Sequence, residues 1–130
     1  MADGIAATGL ANKWLNMLGA TAFTAPAATY VQLHTGAPGA AGTTTVSSVT
    51  TRPAVTWGSA SAGSISANNT PTWSSWAGTN GETVTDISVW DAASSGNFLF
   101  SVQLTASKVV NTGDTLTLTS LSFGFTAVAS

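Results

Sequence analysis

The sequence predicts a mainly β protein, an antiparallel β-sandwich or barrel with one N-terminal amphipathic α-helix. After Pro26, short runs rich in Val, Thr, Phe and Trp are separated by Gly, Asn, Asp and Ser clusters at regular spacing, the pattern of such folds. Several runs alternate apolar and polar residues, as strands with one buried face do. Before Pro26 a single segment has helical periodicity. At 130 residues the chain suits one domain, able to bury roughly 70% of its unfolded surface. Residues 1–130 are therefore read as a single domain, with a helix or arm over 1–19 and a β-domain over 27–130.

The helix comes first. In DGIAATGLANKWLNMLG, Asp3 is the expected N-cap and Gly19 the expected stop. Leu10, Trp14, Met17 and Leu18 fall at i, i+4, i+7 and i+8, one apolar stripe that Ile5 approaches a turn earlier. That stripe can dock on the protein's own sheet or on a neighbouring subunit. Strands are expected over 29–34, 53–57, 63–67, 72–76, 83–90, 97–104, 115–119 and 121–126. Asn80-Gly81 and Asn111-Thr112-Gly113-Asp114 supply turn chemistry, because Asn and Gly tolerate positive φ. The low-complexity loop 36–48, GAPGAAGTTTVSS, is expected to be mobile or used for binding.

Parity sharpens two of these strands. Phe98, Phe100, Val102 and Leu104 share one face, opposite Leu99, Ser101 and Gln103. Leu116 and Leu118 have the opposite parity to Leu121, Phe123 and Phe125, so both sets reach one core only if the chain breaks near Thr119–Ser120.

Charged residues make up 6% of the chain, against roughly 25% in ordinary globular proteins. With a net charge of −2 and no basic cluster, neither nucleic acid nor an anionic membrane is an expected partner. Charge depletion instead favours an exterior partly buried against copies of itself or other proteins, since desolvating charge costs free energy. The absence of cysteine removes disulfides, thiolate nucleophiles and Cys-based metal sites. There is no signal-peptide pattern and no apolar stretch near the ~18 residues that span a bilayer. Synthesis in a cytoplasm without secretion is the expectation, which leaves the Asn68-Asn69-Thr70 glycosylation acceptor without meaning.

Catalytic patterns are equally thin, and the chain is expected not to be an enzyme. Gly58-Ser59-Ala60-Ser61 lacks the nucleophile-elbow spacing, and His34 is the one histidine, with no carboxylate within ten positions. No EF-hand run, phosphate-cradling glycine loop or evident carboxylate pair occurs. Asp91 and Asp114 read as turn residues. No metal, cofactor or catalytic residue is assigned. Five tryptophans suit core and interface packing, although an aromatic platform for host surface glycans is an alternative. Trp73 and Trp76 are three apart, which in one strand puts them on opposite faces, one in the core and the other exposed or in a contact. His34 shares parity with Tyr30 and Gln32, opposite Val31 and Leu33, on the polar or contact-forming face.

The order of motifs is itself informative: YVQLHTGAPG, RPAVTWGSASAGSISAN, TDISVWDAASSGNFLFSVQL and KVVNTGDTLTL. The series resembles a family of small tailed-phage proteins labelled tail-fibre or minor tail protein, particularly in phages of actinobacteria. It covers nearly the whole chain from about Thr29, and WDAASSGNFLF and VNTGDTLTL are its most specific pieces. The resemblance implies a non-enzymatic structural protein on the virion exterior, assembled in the host cytoplasm, at the tail or as a decoration of the head. Its implied partners are copies of itself and a tail or major capsid protein. The residues expected to make assembly contacts are Leu10, Trp14, Met17, Leu18, His34, Pro38 and Trp76.

Overall fold

The computed structural model describes residues 3–125. A π-helical turn, Ala7–Ala11, runs into α1, Asn12–Leu18; the strands are β1 Thr29–His34, β2 Ala54–Val55, β3 Ser64–Ser66, β4 Thr72–Trp73, β5 Glu82–Trp90, β6 Phe98–Val110, β7 Leu116–Thr117 and β8 Ser122–Gly124. Each expected segment contains a strand, most of them shorter than the sequence suggests. The strands form an antiparallel sheet in the order β2-β1-β5-β6 and two ribbons, β3–β8 and β4–β7. No closed barrel is found among the described residues.

Register explains the core. Val31 pairs with Val89 and Leu33 with Ile87 across β1–β5, and these continue to Phe100 and Val102 on β6. Period two puts all six on one face. There Val31, Leu33, Ile87, Val89 and Phe100 join Trp73, Leu116, Leu121 and Phe123 of the ribbons in a single apolar cluster. Burying each aliphatic side chain contributes about 1.5–3 kcal/mol. The break expected near Thr119–Ser120 is present, with β7 ending at Thr117 and β8 starting at Ser122. It lets residues of opposite parity meet in the same cluster. A second irregularity sits between β5 and β6, where residues 104–107 oppose Thr85 alone.

Two expectations for the N-terminus are corrected. Asp3 is not an N-cap: the helical segment is preceded by Ala6, which makes no side-chain cap. Residues 4–6 instead extend the sheet beside β6, with the Ser101 N–H donating to Gly4 O and the Ala6 N–H to Leu99 O, both at 2.8 Å. The arm can lie this close because Gly9 has no side chain; a Cβ there would stand 1.8 Å from Phe98 O. Gly19 does stop α1, but the left-handed residue is Ala20, at φ 60°. The Ala20 and Thr21 N–H groups close the helix onto Met17 O and Asn16 O, each at 3.1 Å, a Schellman cap with alanine in the glycine position.

The loop 36–48 is ordered by its own contacts. It folds back over the sheet, with Pro38 and Gly42 buried. Its bonds include Thr35 N–H to Thr45 O (2.8 Å), Thr44 N–H to Pro38 O (3.0 Å) and Ser47 N–H to Leu33 O (3.0 Å). Gly42, at φ +70°, touches the Phe98 and Trp90 rings so closely that a Cβ would lie 2.6 Å from Phe98. The loop expected to be mobile or used for binding is packed as a cover over the sheet's second face, with 40, 41 and 43–46 exposed on its outer side.

Candidate functional site

That second face carries Gln32, His34, Asp86, Ser88 and Ser101, aligned by the pairs Gln32–Ser88, His34–Asp86 and Ser88–Ser101. All five side chains are buried. His34 is 0% exposed, its Nδ1 2.8 Å from Thr44 O and its Nε2 2.7 Å from Ser88 Oγ. Burial pushes the His34 pKa below its usual value; the Thr44 carbonyl and the Asp86 charge oppose that shift without reversing it. His34 was expected to touch a partner. It lies on the polar face as its parity required, but the chain's own loop covers that face.

Asp86 shares this layer. Its pKa is raised by burial and by the neighbouring Asp3 carboxyl, against a hydrogen bond donated by Thr85 Oγ1. Asp3 Oδ1 is buried without a hydrogen-bond partner. At the far end of the layer Arg52 stacks 3.9 Å from the centroid of the Trp90 ring. Its Nε donates to Gln32 Oε1 at 2.9 Å and its Nη1 to Ser95 O at 2.8 Å. Nothing in the spacing of Arg52 marked this role; one cation beside a Trp-rich β pattern was the available signal.

The remaining acids serve turns. Asp91 accepts from the Asn97 N–H (2.6 Å) and Nδ2 (2.7 Å), closing the DAASSGN loop. Burial raises its pKa, and those hydrogen bonds with the charge of Lys13 lower it by more, for a net fall. Asp114 accepts from the Asn111 N–H at 2.9 Å, as its turn sequence suggested. Glu82 binds Ser47 Oγ and the Ser48 N–H; burial opposes these bonds, and its pKa still falls. Among the described residues no three His, Asp or Glu side chains are grouped to hold a metal ion.

The surface has a different chemistry. Of the expected contacts, Leu10 is buried and Trp14 half-buried, its ring 5.6 Å from Phe123 and 5.2 Å from Phe125. Met17 is 50% exposed and Leu18 88%, so the stripe divides into a docked half and a free half. Leu15, 63% exposed, extends the free half, and Phe125, 59% exposed, lies against Trp14; both were missed. The i, i+3 spacing of Leu15 and Leu18 was the signal for the first of them. Pro38 and Trp76 are fully buried, which corrects their reading as surface contacts. Trp76 turns inward beside Trp73 because β4 ends at Trp73 and Ser75 takes φ 51°, breaking the alternation. Neither of these tryptophans is an exposed platform.

Among the described residues the surface also carries shallow grooves. One of about 320 Å³ runs between β6 and the β7–β8 segment, and one of about 340 Å³ lies between the arm, the loop and Asn97. The polar side chains lining them, such as Lys108, Thr117 and Ser122 in the first and Thr8, Thr43 and Asn97 in the second, are exposed. Neither groove has the convergent buried polar groups that orient a small ligand.

The fold and its inward-turned polar layer define a small antiparallel β protein in which His34, Asp91 and Asp114 tie down its own loops. A family model described as Podophage GP4 fiber I protein gp80 matches residues 6–126. The chain belongs to that family, and it is a phage fibre structural protein associated with the virion. The match takes in α1 as well as the strands. No curated protein matches the chain.

Proposed function

We propose that this chain is a non-enzymatic subunit of the tail, displayed on the particle exterior and assembled through the free end of α1. Fibre-family membership over residues 6–126 supports the tail setting. The observation that carries the assembly reading is the run of exposed Leu15, Met17 and Leu18 at the end of α1, with exposed Phe125 against the ring of Trp14 on the same helix. Single exposed apolar residues are ordinary, but adjacent ones in a protein this poor in charge favour a contact with copies of itself or other virion proteins.

Sedimentation velocity tests it. The protein is expected to form a defined oligomer that Leu18→Glu converts to monomer, with circular dichroism unchanged because Leu18 is 88% exposed. A monodisperse wild-type monomer that ignores purified tails would sink the proposal. Binding to purified heads instead of tails would move the protein to head decoration.

A further inference from the structure

We infer that the contacts of His34 with Thr44 and Ser88 make the loop 36–48 a strap that acid releases from the polar face of the sheet. The chain of bonds has one consistent proton assignment. Thr44 O can only accept, so His34 Nδ1, 2.8 Å away, carries the ring proton. Trp90 Nε1 can only donate, and it does so to Ser88 Oγ at 2.7 Å. The Ser88 hydroxyl proton then goes to His34 Nε2, also at 2.7 Å. Every donor from Trp90 to Thr44 is used, and the imidazole that fits is neutral.

A second ring proton, on Nε2, would point at the Ser88 proton. Ser88 would have to rotate that proton toward another acceptor, and none bonds to it among the described residues. The imidazolium would be a buried cation, which must be paired or hydrated. Asp86, opposite His34 on β5, and Asp3 on the arm favour the charged ring, Arg52 before β2 disfavours it, and burial outweighs the two acids. The strap, GAPGAAGTTTVSS, supplies no charge at all. Hydration is the remaining outlet. Thr44, which covers the ring edge, belongs to the strap, whose bonds to β1 are those of the Ser47 and Thr35 N–H groups to Leu33 O and Thr45 O. Protonation thus favours the lifted strap over the seated one.

Amide hydrogen exchange resolved by NMR tests this on the full chain between pH 7.5 and 5. After correction for intrinsic rates, the Thr35, Thr44 and Ser47 amides should lose protection by up to about tenfold per pH unit as pH falls from ~6.5, the value of an uncovered imidazole, toward the lower pKa of the seated ring. The Val31 and Val89 amides should hold. Strap protection that ignores pH, or a core that loosens in step with it, would overturn the inference. His34→Asn keeps an N–H for Thr44 and cannot take a second proton, so its strap protection should be flat with pH; an acid-dependent strap in that variant also overturns it. Should the variant not fold, the ring titration of wild-type His34 decides. Strap exchange that rises below ~6.5 and levels off at the ring's midpoint supports the strap, and strap exchange with no change of slope at that midpoint refutes it.

Discussion

His34 is more informative as a buried neutral base than as a surface residue. Its folded pKa is lowered while the unfolded value is about 6.5, so below pH ~6.5 the unfolded chain binds the extra proton. Stability is then full above that pH and falls as pH drops toward the folded pKa, with a slope of at most about 1.4 kcal/mol per unit from this one site. Glu82 and Asp91, whose pKa values are lowered, add losses of the same sign at lower pH, whereas the raised Asp86 acts oppositely. Urea midpoints measured from pH 7 to pH 5 are expected to fall, and His34→Gln should flatten that fall whatever its effect at pH 7. The parity of YVQLH placed His34 on the right face, and the turn roles of Asp91 and Asp114 were plain from local sequence. What covers His34 was not, because Ser88 lies 54 positions away and a run of Gly, Ala and Thr carries no periodicity to say where it packs.

Element by element, alternation located the strands because most have one face in a shared core. The misses fall where local geometry departs from an ideal period. The left-handed residue at Ser75 sends Trp73 and Trp76 the same way, and the irregularity opposite Thr85 lets β6 run on to Val110 through polar residues. The end of α1 is a third case, since Gly19 drew attention while Ala20 takes φ 60°. Alanine in that region costs about 1–2 kcal/mol. Ala20→Gly is therefore expected to raise stability by about 0.5–1 kcal/mol in denaturant unfolding, net of glycine's larger unfolded-state entropy. Gly9 predicts the reverse. The Cβ of Gly9→Ala would collide with backbone, Phe98 O at 1.8 Å, and overpacking of that kind costs about 1–3 kcal/mol. Loss of exchange protection at the Ala6 and Ser101 amides, whose bonds hold the arm to β6, would report the displaced arm directly.

For the molecule as a whole, three basic and five acidic residues leave little for long-range electrostatics to act on. If the free end of α1 joins subunits by apolar burial, the oligomer should persist from about 0.05 to 0.5 M sodium chloride in sedimentation, a range over which screening would dissolve a charge-driven contact. Dissociation across that range would assign assembly to the few ions instead. The same scarcity of charge poses a hazard of misassociation, because natural sheets commonly guard their outer strands with lysine or other inward-pointing charge. Here the guard is steric. On one side β2 is only Ala54–Val55, too short to template a partner strand. On the other, residues 4–6 occupy the outer hydrogen-bonding groups of Leu99 and Ser101. The arm thus doubles as a solubility device, denying neighbouring chains an amyloid-like foothold along the most hydrophobic stretch of β6.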